Sequence, residues 1–197
     1  MDDFRPPGSD AVIAWASRSR LGYQVCPDLS WYSEWEPFDT IVAPSRYFNA
    51  VELYTAGARV VLVEPWSALG DMTPLGRSLF AFVRHNGLRY RASARIGASY
   101  LTRVTFLGTT PPTQQFTGDP DWDDVATTFA DSPLDAARAL TPSLRKLLLA
   151  WNFQGHIEVR QGGLLLHVAG MQPTPQDYER LAQWVPPVLE KALKERR

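Results

Sequence analysis

The chain carries a single cysteine, Cys26, in 197 residues. One thiol excludes an intramolecular disulfide and any zinc cluster built on cysteine, and it fits a reducing compartment. Cys26 follows Tyr23 and Val25 with no histidine beside it, so a packed thiol is expected rather than a reactive one. Lysine is almost as scarce. Lys146, Lys191 and Lys194 stand against 17 arginines, a bias that fits GC-rich bacterial coding before it fits a function. No apolar run approaches the roughly 20 residues that span a bilayer, and the opening MDDFRPPGSD has acids where a signal peptide has positive charge. These features predict a cytoplasmic protein without a membrane partner. Net charge is -1, which gives no global pull toward nucleic acid or anionic lipid. Also missing are a Gly-x-Ser-x-Gly elbow, a phosphate-cradling glycine loop and a dinucleotide fingerprint, so no cofactor is expected and catalysis has no local signature.

At this length the chain can bury a proper core, as one unit or two packed halves. Asp10 can cap a helix over AVIAWASRSRLG, with Val12, Trp15, Ala16 and Leu21 near one face and Gly22 as its stop. A strand YQVC follows. PDLSWYSEWEPF has no sustained period and reads as a loop anchored by Trp31, Trp35 and Phe38. Residues 50 to 64 alternate around Ala56-Gly57 and read as a hairpin whose second strand, RVVLV, is central in a sheet. Thr73-Pro74 with Leu75, Leu79, Phe82 and Val83 predicts a helix from 74 to 86, although Asn86-Gly87 also suits a hairpin turn. Strands are expected near 88 to 95 and 98 to 108.

Further on, GDPDWDDVATTFADSP offers a short helical turn, and PLDAARALTPSLRKLLLAW reads as helix broken or kinked at Thr141-Pro142. Thr174-Pro175 opens a last amphipathic helix with Tyr178, Leu181, Ala182, Val185, Leu189 and Leu193 on one stripe. Pro186-Pro187 is expected to bend or split it. A weak echo pairs Ala14-Trp15, Leu21 and Tyr23 with Ala81-Phe82, Leu88 and Tyr90, as a repeated helix-strand unit. Helices beside antiparallel strands give the α+β class. The expected division is residues 1-70, packed on a core of 71-197.

HIEVRQGGLLLH, residues 156 to 167, has a histidine at each end of a hairpin. Alternation puts Ile157, Val159, Leu164, Leu166 and Val168 on one face and His156, Glu158, Arg160 and His167 on the other. A Gly162-Gly163 turn sets His167 opposite Glu158, whereas a Gln161-Gly162 turn sets it opposite His156. The diglycine is favoured because both of its residues tolerate positive φ. The expectation is a His-Glu pair on a solvated face. No third ligand at metal spacing accompanies it, and His85 reads as a helix-end dipole partner. DPDWDD imitates a calcium loop but has Asp124 at the glycine position and Ala130 at the glutamate position, so helix capping explains its acids better.

Charge is segregated along the chain. No acid lies between Met72 and Gly118, where Arg77, Arg84, Arg89, Arg91, Arg95 and Arg103 fall; Asp119, Asp121, Asp123, Asp124, Asp131 and Asp135 then follow. In LRYRASAR, alternation puts Arg89, Arg91 and Arg95 on one face. With Tyr100 or Phe80 as a stacking surface, such a row suits phosphates of a single-stranded nucleic acid. The bland alternative is that the acidic segment neutralises it.

From residue 74 onward the order of helix, strands, helix, two strands, helix resembles type III secretion chaperones and related bacterial adaptor-like proteins. The resemblance rests on element order, carries no residue motif, and is weakened by the extra 70 N-terminal residues and a less acidic charge. It implies a homodimer that binds a partner polypeptide without catalysis. The leading expectation is therefore a cytosolic protein-binding adaptor whose contact residues are Trp31, Trp35, Phe38 and Trp184. Nucleic-acid binding through Arg89, Arg91, Arg95, Arg103 and Tyr100 comes second. A hydrolase using His167 and Glu158 comes third.

Overall fold

The computed structural model describes residues 4–29, 46–66, 77–97 and 113–194. Nine strands form one antiparallel sheet: β1 (Gly22–Gln24), β2 (Arg46–Thr55), β3 (Ala58–Trp66), β4 (Phe80–Arg84), β5 (Ala92–Ile96), β6 (Thr113–Gln115), β7 (Ala126–Ala130), β8 (Gly155–Arg160) and β9 (Gly163–Val168). Their spatial order is β1-β2-β3-β4-β9-β8-β5-β7-β6. The described helices are α1 (Ser9–Arg18), α2 (Pro120–Asp123), α3 (Pro133–Ala139), α4 (Pro142–Ala150) and α5 (Pro175–Leu193). The class is α+β, as expected. None of the described helices is long and apolar enough to cross a membrane.

Side-chain alternation separates two apolar clusters. Val60, Leu62, Ala81, Val83, Leu164, Leu166, Ile157, Val159, Ala92 and Ala94 join the buried residues of α1, α3, α4 and α5 in the main core. Val61, Val63, Phe80, Phe82 and Leu165 point to the opposite face and form a second cluster with Leu29 and Ala50. The middle strands are thus buried on both faces, which is why RVVLV and LFAFV are continuously apolar. The hairpin read at 50 to 64 is present as β2 and β3, and its Ala56 and Gly57 both have positive φ, 49° and 75°. That is the pair of left-handed residues a twisted two-residue turn requires.

Several expectations change. The helix expected from 74 to 86 gives way to β4, because Leu79 to Val83 are buried on both sides and a short apolar run of that kind satisfies strand and helix patterns alike. Since Ala81-Phe82 lie in a strand, the echo of α1 disappears with it. ATTFA, absorbed above into a helical turn, is β7, bonded to β5 and β6. Helix α1 ends at Arg18, with Ser19 as its C-cap and Arg20 in the left-handed region at φ 54°, and Gly22 begins β1 instead of stopping the helix. Helix α5 runs unbroken through Pro186 and Pro187, held across them by buried Val185, Val188 and Leu189. The lost amide of Pro187 leaves the carbonyl of exposed Gln183 to water, which limits the cost. Cys26 is exposed, not packed. The break expected at Thr141-Pro142 separates α3 from α4, and Thr174-Pro175 opens α5 as read; Thr141 and Thr174 cap α4 and α5, each accepting from the amide three residues on.

One end of the sheet is organised by a buried carboxylate. Glu64 of β3 is fully buried and accepts from Asn49 Nδ2 at 3.0 Å, Trp66 Nε1 at 2.8 Å and Arg77 Nε at 2.9 Å. Asn49 has φ 53° and sits where the β2 register shifts, so the bulge turns its amide inward. Its Oδ1 accepts from Tyr23 at 2.7 Å and its carbonyl from Tyr178 at 2.7 Å. Burial pushes the Tyr178 phenol well up, so it remains a donor. Arg77 Nη2 donates to the Pro7 carbonyl at 2.8 Å. Replacing Glu64 by leucine should cost about 3 kcal/mol in chemical denaturation, because it strands Arg77 and Asn49. The partly exposed Glu52–Arg59 pair, at 2.8 Å, provides the contrast, and Glu52→Gln should cost under about 1 kcal/mol.

Candidate functional site

Only part of the anticipated binding residues lies within the described chain. Trp31, Trp35, Phe38, Tyr100 and Arg103 fall outside it. Arg89 is exposed and precedes β5, Arg91 is half-buried, and Arg95 is 3% exposed with its guanidinium 5.0 Å from the Phe129 ring. Phe80, considered as a stacking surface, is buried in the second cluster. The three arginines therefore do not make one open row. Among the aspartates, Asp119 pairs with Arg145 at 3.0 Å, Asp123 accepts from Thr117 and Gly118, and Asp135 accepts from Ser132.

The histidine hairpin has the other register. Arg160 faces Gly163 across a Gln161-Gly162 turn, and His156 faces His167. Gly162 alone takes positive φ there, at 78°. Its amide donates to the Leu88 carbonyl at 2.9 Å and its carbonyl accepts from His85 at 3.1 Å, so contacts with the chain after β4 outweigh the local preference for a diglycine turn. The histidine face is also buried, not solvated. Gly155 makes the close approach possible: a Cβ there would sit 2.1 Å from the His167 carbonyl oxygen.

The register lays Phe80, His167, His156, Arg95 and Thr127 in one line across β4, β9, β8, β5 and β7. A second line runs Phe82, Leu165, Glu158, Ser93 and Phe129. Glu158 is fully buried, with Arg160 Nε at 2.9 Å and His156 Nε2 at 3.8 Å. His167 stands edge-on to Phe80 at 5.3 Å. Serine, histidine and glutamate are the residue types of a hydrolase, yet Ser93, His156, Glu158 and His167 are each at most 2% exposed. In this conformation no substrate atom reaches them. Among the described residues, no cluster of three or more histidine, cysteine or acidic side chains could hold a metal ion.

The outer surface of the C-terminal helices carries a different arrangement. Trp184 of α5 meets Trp151, which closes α4, with ring centroids 4.7 Å apart, and Phe153 lies 6.4 Å away beneath. Both indoles are half-buried. Arg180, one helical turn before Trp184 and exposed, holds its guanidinium 5.9 Å from that ring. Trp184 was legible as a candidate, whereas Trp151 was not singled out. Its signal was a large aromatic at the last position of an amphipathic helix.

His167 supplies a test of the buried seam. Burial, followed by the neighbouring His156, lowers its pKa from 6.5 to about 3. A folded pKa below the unfolded one means that unfolding takes up a proton. The neutral ring's contribution is then whole above about pH 6.5 and is lost progressively as pH falls toward 3. Stability should drop by roughly 4 kcal/mol across that window, and His167→Leu should flatten this acid limb in urea titrations.

No known family profile matches the sequence, and no curated protein matches it. Among solved structures, the fold is similar to the crystal structure of the mycobacterial trehalose monomycolate transport factor A, TtfA. The TM-score is 0.58 at 12% identity, over 95% of this chain and 92% of that one. At that identity the likeness establishes a shared fold across nearly the whole length of both chains.

Proposed function

We propose that this protein acts without catalysis, in the cytosol, as an adaptor that binds another polypeptide through the Trp151–Trp184 surface. The observation that carries the reading is the pair of half-buried indoles with the Arg180 guanidinium stacked beside them. Tryptophan and arginine dominate the energetics of protein interfaces, and indoles already fixed against each other lose little freedom on docking. Packing on Phe153 holds the pair in place, and the exposed guanidinium offers a charge-assisted contact to a carboxylate. The matching partner surface presents apolar side chains to the indoles and an acidic residue to Arg180. A transport factor as fold neighbour agrees with a role in handling a partner.

The test is affinity capture with the wild-type chain, followed by reconstitution of the captured protein from purified components. Arg180→Glu should weaken that defined complex by at least about tenfold, and Trp184→Ala by more, with circular dichroism showing both variants folded. A complex that survives both changes overturns the assignment of this surface. Capture of a second copy of the chain alone overturns the adaptor reading in favour of a homodimer contact.

A further inference from the structure

A cleft of about 980 Å³ opens between the α2 loop, α3 and the start of α4. Its lining includes four cationic side chains, Arg138, Arg145, Lys146 and Lys194, against one carboxylate, Asp119. That carboxylate is already engaged, since its Oδ2 is 3.0 Å from Arg145 Nε. Lys194 is answered from outside the cleft by Glu190 at 2.6 Å. Two cations therefore remain without an acid among the described residues: Arg138, which rests on the Tyr90 ring at 5.2 Å, and Lys146, which is exposed.

Arg145 gives this cleft a fixed floor. It is 5% exposed, and its Nε and Nη1 are held by Asp119 and by the Leu140 carbonyl. The guanidinium is thereby oriented before any ligand arrives, with Nη2 outside those two bonds. Beside it, the first turn of α4 has Pro142 without an amide and commits the Leu144 amide to Thr141 Oγ1. The Ser143 amide and hydroxyl have no partner of their own among the described residues, and Ser143 lines the cleft. These donors and positive charges line the same cleft.

We propose that this cleft binds a ligand through a phosphate group, with Arg138 and Lys146 as the charge partners and Arg145 as the fixed donor beneath. A phosphomonoester carries nearly two negative charges at neutral pH, which matches the two unanswered cations, whereas a carboxylate carries one. The cleft is far larger than phosphate itself, so the ligand has a body beyond it, and Ala137 and Pro142 offer that body apolar wall. Exposed Asp121 and Asp124 flank the α2 side and repel an extended polyanion, which favours a single phosphate group over a nucleic-acid strand. The site is independent of the tryptophan surface proposed above.

The phosphate could belong to a soluble metabolite or to a lipid headgroup, and the experiment separates them. The full chain is titrated calorimetrically with glycerol 3-phosphate and with inorganic phosphate, and is floated with phosphatidylcholine vesicles containing phosphatidic acid, a phosphomonoester lipid, against phosphatidylcholine vesicles alone. Binding to a soluble phosphate, or flotation only with the anionic vesicles, supports the site and names the source. In either case Arg138→Glu with Lys146→Glu should lower affinity at least about tenfold, the milder Lys146→Gln should lower it about threefold, and Arg18→Gln, at an exposed position of α1, should leave it unchanged. Two results overturn the proposal: no binding to any of these probes, or binding that the cleft variants leave intact.

Discussion

A carboxylate cannot be buried without partners, and Glu64 collects them from segments far apart in the chain. Its donors come from β2, from β3 and from Arg77, three residues before β4, and through Asn49 and Arg77 the network reaches β1, α5 and the stretch before α1. Each group satisfies another that would otherwise be stranded in the interior. The β2 bulge, the entry of the chain into β4 and the seating of α5 on the sheet are consequences of the same need. Hydrophobic burial supplies most of the driving force for this fold, but it is indifferent to register. The Glu64 network is not indifferent, since a slip of one residue would leave the charge bare.

The opposite face of the sheet shows the same logic at its centre. His156, His167, Glu158, Ser93 and Arg95 line up across β9, β8 and β5, buried among phenylalanines. Neutral His167 belongs there as an aromatic that packs on Phe80, and protonation removes that property. The exposed chemistry of the protein lies elsewhere, on the helical side, where indoles and guanidinium groups face water.

Local signals in the sequence were read correctly where local physics decides the outcome. Ala56-Gly57 marks its turn, Thr141-Pro142 the break between α3 and α4, and Thr174-Pro175 the start of α5, because the turn φ values and the missing proline amides need no help from distant residues. Phe80 to Val83 were misread because a strand buried on both sides has lost the alternation that identifies a strand. The β8–β9 register was misread because the bonds to His85 and Leu88, remote in sequence, select the turn. The burial of the histidines was illegible for a related reason: polar residues on alternate positions look solvated until something is known to cover them. Of the indole pair, Trp184 was visible and its meeting with Trp151 was not, since the angle between two helices is set by packing and not by either helix alone.

The place of the β8–β9 hairpin has a consequence for how the protein comes to exist. Among the described residues, one half of the sheet, β1 to β4, and the other, β5 with β7 and β6, are joined by strand pairing only through this hairpin, which comes after all of those strands in the chain. On a ribosome both halves emerge first with raw edges, apolar β4 and the mixed β5, each lacking its neighbour. The sheet closes only when β8 and β9 arrive to zip them together, so topology makes this a slow folder. Until then the nascent chain is most exposed to wrong edge-to-edge pairing, and the interval between synthesis of β5 and of β9 is when a cell would need to shield it.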